Sequence, residues 1–245
     1  MRARVTYPPL NAPKPVADGI WIVDSGPLKP TGVPLPVRMT VLRLSGGGLL
    51  LHSPTPFSRS LLGAIEALGP IEHLLAPSFG HWTFVADWQR ACPGATTWAV
   101  PKLAKRPQVR KSRLRIDREL DGRDLHPWGE EIEHVVVPGA AGFREAALFH
   151  RPSRTLVLTD LVVNLERNKL PPLARIGVRL AGSLAPDGMA PIHVRLLVKM
   201  GGARARAAAE RLLAFAPERV IFAHGAWFQR DGEARLRRSF RWLVG

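Results

Sequence analysis

The sequence predicts a layered α/β protein in which two β-sheets pack face to face and helices cover their outer surfaces. Three observations support this fold class. The chain has 245 residues, of which 46% are hydrophobic, enough for one large core. Short β-type runs alternate with amphipathic helical stretches along the chain. The runs fall into two strand-rich halves with helices appended to each, which predicts two sheets.

The first half opens as an antiparallel meander and continues in β-α-β order. Its predicted strands cover residues 19–24, 37–44, 48–52, 72–77 and 95–100. A helix over 57–69 is predicted to end at Gly69-Pro70, and a second helix begins at His81. This alternation predicts parallel pairing with helices on the sheet surface. The highly basic residues 101–118 are expected to form a solvated helix or loop.

The second half begins near residue 132. Its predicted strands cover residues 132–139, 146–151, 155–163 and 219–225, with a hairpin turn at 151–154. Amphipathic helices are predicted over 203–217 and 233–244. Residues 164–191 contain several Pro and Gly and are expected to form a long connection with one short helix. We divide the chain into an irregular N-terminal segment, 1–18, and a single domain, 19–245.

The chain is strongly basic and contains a single cysteine. It has 35 Lys and Arg against 20 Asp and Glu, a formal net charge of +15. Cys92 alone excludes an internal disulfide framework and a zinc site of clustered thiolates, which leaves imidazole and carboxylate as metal ligands. No apolar run has the length of a signal peptide or a membrane span, so we expect a cytoplasmic protein.

The positive charge raises nucleic acid as an alternative partner. It is concentrated in residues 102–118 and in the last predicted helix, at Arg235, Arg237, Arg238 and Arg241. Aromatic residues that could stack on bases are Trp82, Trp88, Trp98, Trp128 and Trp227. Aromatic residues at such spacing are more often part of a core, and a general enrichment in Ala, Arg, Pro and Gly also explains the charge. An anionic small molecule is a second partner that this charge favours.

Polar side chains follow several of the short apolar runs. They are His52, His81, Asp160 and His224, with Asp24 a further carboxylate after a strand. Loops at the carboxyl ends of strands gather at one edge of a layered α/β protein, so these groups are expected to converge. Neutral imidazole and carboxylate suit zinc, iron or manganese. The alternatives are backbone hydrogen bonding for His52, a turn or cap for His81, loop hydrogen bonds for Asp160 and a sharp turn at His224.

The order of these motifs resembles the metallo-β-lactamase superfamily, whose members are αββα metal-dependent hydrolases. The resemblance covers roughly residues 19–240. GLLLHSPTP resembles a strand and turn where that family has Asp-Thr-Gly, and EHLLAPSFGHW resembles its T-H-x-H-x-D-H segment. VVVPGAAGF resembles its Pro-Gly-His loop, TLVLTD the strand ending in a metal-bridging aspartate, and VIFAHG the last strand ending in His-Gly. The resemblance implies a four-layer αββα sandwich.

The resemblance carries over only part of the ligand set. Asp160 and His224 match outright, and the best fit places His81 at the final histidine of the first motif. The other ligand positions of that motif hold Pro77, Ser78, Phe79 and Gly80, and Ala140 stands at the histidine of the second motif. The pattern is similar to an uncharacterised bacterial branch of the superfamily that has a degenerate metal site.

Three functional hypotheses follow. The first is a hydrolase whose reduced site, His81, Asp160 and His224, holds one zinc or iron ion and cleaves an ester, lactone or phosphoester, with Asp160 also the catalytic carboxylate. His52, Ser78 and Asn164 are candidates for supporting the ligands or contacting substrate. The second is a non-catalytic protein of the same fold that has lost metal binding. The third is a basic nucleic-acid-binding member. The oligomeric state stays open.

Overall fold

The computed structural model describes residues 5–29, 34–121 and 126–245. Its first sheet has seven strands in sequence order. They are β1 (Lys14–Ala17), β2 (Ile20–Leu28), β3 (Leu35–Arg43), β4 (Leu49–His52), β5 (Ile71–Ala76), β6 (Thr96–Ala99) and β7 (Arg118–Glu119). The strands β1 to β4 pair antiparallel and the strands β4 to β7 pair parallel. This confirms the predicted meander followed by β-α-β units.

Three helices accompany the first sheet: α1 (Arg59–Glu66), α2 (Val85–Ala91) and α3 (Pro107–Ser112). The hydroxyl of Ser58 caps α1 by accepting a hydrogen bond from the backbone N–H of Leu61. The helix predicted to begin at His81 begins at Val85 instead, because residues 81–84 form a turn. The basic run 102–118 contains a turn of 3-10 helix, α3 and the edge strand β7.

The second sheet has four strands in the order β12-β10-β9-β8. These are β8 (Ile132–Pro138), β9 (Arg144–His150), β10 (Thr155–Val157) and β12 (Arg219–Ile221). A separate pair joins β11 (Val163–Asn164) to β13 (His224–Gly225) in parallel. The helices of this half are α4 (Pro172–Leu180), α5 (Ile192–Lys199), α6 (Gly202–Ala214) and α7 (Gly232–Val244).

Side chains of β9 alternate between two cores, as the period of a strand requires. Ala146 and Leu148 join the core shared with the first sheet and with α1 and α2. Ala147 and Phe149 join the core under α5, α6 and α7. The layers are therefore helix, sheet, sheet and helix, which confirms the predicted αββα sandwich.

Two predicted strands are interrupted at the places where polar residues occur. The run 155–163 is divided into β10 and β11 by a turn that carries Asp160, and the run 219–225 is divided into β12 and β13 before His224. The segment 1–18, expected to be irregular, contains the edge strand β1. Within the described ranges, no helix has the length and apolar character needed to cross a membrane.

Candidate metal centre

Three of the predicted ligands lie together at one edge of the sandwich. His81 follows β5, Asp160 follows β10 and His224 begins β13. The Nε2 atom of His81 lies 3.3 Å from Oδ2 of Asp160, and Nε2 of His224 lies 3.4 Å from Oδ1 of the same carboxylate. One ligand atom from each residue falls within 4.8 Å of the other two. Among the described residues, this is the one His/Cys/Asp/Glu group that could hold a metal ion.

Hydrogen bonds fix the orientation of both imidazoles. The Nδ1–H of His224 donates to the carbonyl oxygen of Pro36 at 2.8 Å, because a carbonyl can only accept. Nδ1 of His81 lies 2.7 Å from Oγ of Ser53. In both rings the Nε2 atom therefore points at Asp160. Metal-binding histidines are usually held in this way by a partner on the other ring nitrogen.

Each histidine–aspartate distance matches the spacing of neighbouring tetrahedral ligand atoms, although the two distances end on different oxygens of Asp160 and the donor set is confined only to within 4.8 Å. Bonds of about 2.0 to 2.2 Å to zinc separate neighbouring tetrahedral ligand atoms by about 3.3 to 3.6 Å. The two histidine–aspartate distances, 3.3 and 3.4 Å, fall in that range. Two neutral imidazoles and one carboxylate also form a common set of three protein ligands that leaves one position open.

Electrostatics keeps the carboxylate ionised. Burial opposes ionisation of Asp160, but the nearby imidazoles of His81 and His224 hold the pKa of Asp160 well below its usual range. For His224, burial favours the neutral ring, yet hydrogen bonding and charge from Asp160 raise the pKa of the imidazole above its ordinary value. The site thus presents a negative carboxylate to cationic partners, as a metal ion would require.

Glu145 on β9 holds the turn that presents Asp160. Its buried carboxylate accepts hydrogen bonds from the backbone N–H groups of Thr159 at 2.6 Å, Asp160 at 2.9 Å and Leu161 at 3.4 Å. Burial, and then the charge of Asp160, raise the pKa of Glu145 to about 7, while the bonds from the backbone act in the opposite direction. The sequence analysis missed this residue, although a lone acidic residue beside an apolar strand was a usable signal.

Arg38 on β3 holds the segment that carries His224. Its buried guanidinium donates to the carbonyl oxygens of Phe222 at 2.9 Å and Gly225 at 3.0 Å, and it pairs with Asp24 at 2.7 Å. Gly225 has φ +97°, and a Cβ there would lie 2.1 Å from the carbonyl oxygen of Asn164. The His-Gly pair therefore needs glycine because two backbone segments approach each other closely.

A cavity of about 890 Å³ opens beside the three donors. Its wall is mainly apolar and includes Leu35, Val37, Val163, Leu173 and Val178. Besides the donors, the polar residues that line it are Lys29, Arg38, Ser53, Thr55, Thr83, Ser183 and His193. A largely apolar pocket with a few convergent polar groups is the usual form of a small-molecule site.

The predicted supporting residues do not line this cavity. His52 ends β4 and is buried, and burial together with the charge of His81 lowers its pKa to about 3. Ser78 is buried, and its hydroxyl accepts a hydrogen bond from the N–H of Gly80. Asn164 accepts from the N–H of Gly188 and donates to the carbonyl of Ala226. These contacts join loops around the donors, and none of the three residues faces the cavity.

Several of the positions at which the resemblance predicts further metal ligands hold residues that cannot coordinate a metal through their side chains. The ring of Phe79 packs against Gly142 and lies under the guanidinium of Arg106 at 4.5 Å. Ala140 lies in a turn of 3-10 helix over Ala140–Gly142. The backbone of Gly80 passes the carboxylate, since a Cβ there would lie 3.5 Å from Oδ2 of Asp160. No ligand group replaces those that the resemblance leads one to expect at these described positions.

The tryptophans considered for base stacking are mostly internal. Trp88, Trp98 and Trp128 are at most 3% exposed and belong to the core of the first sheet. Trp82 and Trp227 are partly buried against the same core. The three buried rings are inaccessible to a nucleic acid.

Comparison with solved structures shows the same fold at low sequence identity. A metallo-beta-lactamase from Pontibacter korlensis superposes with a TM-score of 0.64 at 16% identity, covering 94% of this chain and 97% of that chain. The flavodiiron protein from Giardia intestinalis superposes with a TM-score of 0.67 at 13% identity, covering 96% of this chain and 60% of that chain. The metallo-beta-lactamase FIM-1 from Pseudomonas aeruginosa in its mono-zinc form superposes with a TM-score of 0.55 at 14% identity, covering 100% of this chain and 99% of that chain.

No curated protein matches the chain. A family model described as a domain of unknown function, DUF4336, matches residues 17–181, which is about two thirds of the sequence. The matched segment contains His81 and Asp160 and stops before His224. The chain therefore belongs to the DUF4336 family and has the metallo-β-lactamase fold.

Proposed function

We propose that this protein is a hydrolase with a single-metal site, in which His81, Asp160 and His224 hold one zinc or iron ion. The observation that carries the proposal is the approach of two oriented Nε2 atoms to the two oxygens of Asp160, at 3.3 and 3.4 Å. The mono-zinc form of FIM-1, a protein of similar fold, supports the idea that one ion can reside in this architecture. We further propose that residues 19–245 act as one domain.

A bound ion would supply Lewis-acid polarisation of a carbonyl or phosphoryl oxygen and would acidify water. The residues of the chain have distinct tasks around it. Asp160 is the negatively charged donor, and its side chain is 23% exposed, so it can also accept a hydrogen bond from a water in the cavity. Ser53 and the carbonyl of Pro36 orient the imidazoles, and Glu145 positions Asp160 through the backbone.

The cavity favours a carboxylic ester or lactone that carries an apolar group. Leu35, Val37, Val163 and Val178 form walls that bind an alkyl or aryl substituent by burying it. Arg38 lines the cavity, but its charge is engaged by Asp24 and two carbonyl groups. A phosphoester is the second substrate class, supported by the net charge of +15 and by Lys29, whose cationic side chain also lines the cavity.

A non-catalytic protein of the same fold is the second candidate. The observation in its favour is the absence of ligand chemistry at Phe79, Gly80 and Ala140 among the described residues. In that case the apolar cavity binds a small ligand that is not turned over.

Metal content tests the proposal directly. Protein purified without an affinity tag and reconstituted with zinc or ferrous iron is expected to retain about one equivalent of metal after desalting. Asp160→Asn is expected to lose it, because a neutral amide is a poor donor to a divalent ion. His193→Ala is the matched control, since His193 lines the same cavity outside the donor group. Less than about a tenth of an equivalent in the wild-type protein would exclude the metal site.

Turnover separates the two candidates once metal binding is established. The loaded protein is assayed with aryl esters of increasing acyl length, with lactones and with an aryl phosphate. Hydrolysis of esters or lactones by the loaded wild-type protein that is lost in Asp160→Asn supports the hydrolase. Full metal occupancy without turnover of any of these compounds supports the binding protein instead.

A further inference from the structure

The exposed large apolar side chains of the described residues are concentrated on two helices. Apart from Leu10, they are Leu173, Ile176 and Leu180 on α4, and Ile192, Leu196 and Met200 on or at the end of α5. Leu173 is 87% exposed, Leu180 76% and Met200 73%. Single exposed apolar residues are ordinary, but a group of six on neighbouring elements marks an interaction surface. We name these six residues the α4–α5 face.

Each helix presents one apolar stripe outward. On α4 the exposed residues recur at a spacing of three and four, and on α5 at a spacing of four, which places each set on one side of its helix. The inward sides are different residues. Val178 is the buried residue of α4, and Val194 and Val198 are those of α5. Among the residues that the structure describes, the outward stripes are therefore largely free of packing contacts.

The segment of the chain that carries α4 and α5 is positively charged. Between Glu166 and Glu210 the sequence has eight Lys or Arg residues and one acidic residue, Asp187. Asp187 already pairs with Arg238 on α7, whereas Arg179 and Lys199 are exposed beside the apolar stripes. A second copy of the chain would bring like charges together. A partner with an apolar interior and a negative surface is complementary to both features.

The face is continuous with the cavity. Leu173, Ala174, Gly177, Val178 and Ala181 line the cavity from the α4 side, and Pro191 and His193 line it from the α5 side. Leu173 belongs to both surfaces, since it lines the cavity and is also largely exposed. Whatever covers the α4–α5 face therefore also covers Leu173, which forms part of the cavity wall.

We infer that the α4–α5 face docks this protein on the surface of an anionic phospholipid bilayer. Six apolar side chains enter the boundary between headgroups and acyl chains, and Arg179 and Lys199 contact lipid phosphates. Short amphipathic helices with apolar and cationic residues bind bilayers in this manner without crossing them. Docking brings the mouth of the apolar cavity to the lipid surface, so that an amphipathic small molecule can enter it directly from the bilayer.

Vesicle flotation tests the inference with the full chain. The probes are vesicles of phosphatidylcholine alone and of phosphatidylcholine mixed with an equal amount of phosphatidylglycerol. Wild-type protein is expected to float with the anionic vesicles and to be released by high salt. Absence of binding to the anionic vesicles, or equal binding to both kinds, would overturn the inference.

Two variants remove the two parts of the proposed contact without touching the cavity wall. Ile176→Gln/Leu180→Gln/Leu196→Gln is expected to lower binding to anionic vesicles by more than about tenfold. Arg179→Gln/Lys199→Gln is expected to lower it by about 25-fold, since each cation near the surface contributes about a factor of five. Unfolding midpoints of these variants check that the fold is kept.

Matched controls change the same kinds of residue elsewhere. Leu10→Gln removes an exposed apolar side chain outside the α4–α5 face, and Arg110→Gln/Lys111→Gln removes two cations from α3. Both are expected to bind vesicles as the wild-type protein does. An equal loss in the α3 control would show general charge attraction, and an equal loss in either control would reject the α4–α5 face as the docking site.

Two other outcomes would identify a different partner for the α4–α5 face. A wild-type dimer that the triple Gln variant abolishes, measured by light scattering, would replace the bilayer with a second copy of the chain. Binding to single-stranded RNA that the Arg179/Lys199 variant abolishes, without vesicle binding, would replace it with nucleic acid. Asp160→Asn is expected to float like the wild-type protein, so failure of the metal proposal and failure of the docking proposal are distinguishable.

Discussion

The two walls of the cavity are built on different principles. On the sheet side, His81, Asp160 and His224 are held by hydrogen bonds and ion pairs from Ser53, Pro36, Glu145 and Arg38. On the helix side, α4 buries Val178 and turns three large apolar residues outward. The candidate ligands are therefore held in one arrangement by a hydrogen-bonded network, whereas the exposed apolar residues of α4 are free of such constraints.

The largest loss of stability is expected from replacing the buried, charged Arg38 on the sheet side of the cavity. Arg38→Met leaves the carboxylate of Asp24 with Lys14 alone and removes the donors to Phe222 and Gly225. We expect a loss of about 3 to 5 kcal/mol in the free energy of unfolding, measured by urea denaturation. Arg110→Met on the exposed side of α3 is the control, with a change within about 0.5 kcal/mol. A loss below about 1 kcal/mol for Arg38→Met would show that this network contributes little.

A smaller effect is expected at the residue that presents Asp160. Glu145→Gln places an amide NH₂ against one of the backbone N–H groups of residues 159–161, so the turn must shift. We expect metal affinity to fall about 10- to 100-fold, measured by competition with a chromophoric chelator. Glu133→Gln on the neighbouring strand β8, which pairs at the surface with Arg211, is expected to keep wild-type affinity. Unchanged affinity in Glu145→Gln would mean that β10 alone positions the carboxylate.

Ser53 provides a test of ligand orientation. Ser53→Ala removes the partner of Nδ1 of His81, and we expect about a tenfold loss of metal affinity in the same chelator competition. Ser53 has φ +56°, so Ser53→Gly removes the hydroxyl and also relieves backbone strain. Both variants should lose affinity equally, while the Gly variant unfolds at a higher urea concentration than the Ala variant. Different metal affinities for the two would indicate that backbone position, not the hydroxyl, orients the ring.

The smallest change in stability is expected from a substitution on the exposed side of α4, the helix side of the cavity. Leu180→Gln changes an exposed side chain of α4, and its effect on the free energy of unfolding is expected to be within about 0.5 kcal/mol. Val178→Ala on the buried side of the same helix is expected to cost about 1 to 2 kcal/mol. A loss for Leu180→Gln as large as that for Val178→Ala would show that the outward stripe packs within the chain, contrary to the comparison between the two walls.

Much of the fold follows from local patterns. Apolar runs bounded by Gly and Pro located the strands of both sheets except the short strands β1 and β7, and the antiparallel opening followed by β-α-β order was correct. Two strands were predicted too long. TLVLTDLVV is an apolar run that favours a continuous strand, but Glu145 draws the backbone N–H groups of residues 159–161 out of the sheet. Periodicity cannot reveal a carboxylate that arrives from another strand.

Some residues of the candidate site could be predicted from the sequence and others could not. Polar residues after apolar runs pointed to His81, Asp160 and His224, which the fold brings together. His52, from the same reasoning, and Ser78 and Asn164, from the resemblance, were proposed to support the ligands or contact substrate. All three are buried and do not line the cavity, so a supporting role stays a prediction. Arg38 and Glu145 went unnoticed because each acts on backbone atoms far away in sequence.

Local periodicity and residue type were sufficient to predict the layers, the chemical type of the candidate metal ligands and the position of each candidate just after a strand. Which polar groups meet, which hydrogen bonds orient them and which side of each amphipathic helix stays uncovered depend on contacts between distant parts of the chain. From the sequence alone, an apolar stripe such as that of α4 is predicted to be part of the core. Only the packing of the whole chain shows that this stripe faces outward, because burial depends on partners that are distant along the chain.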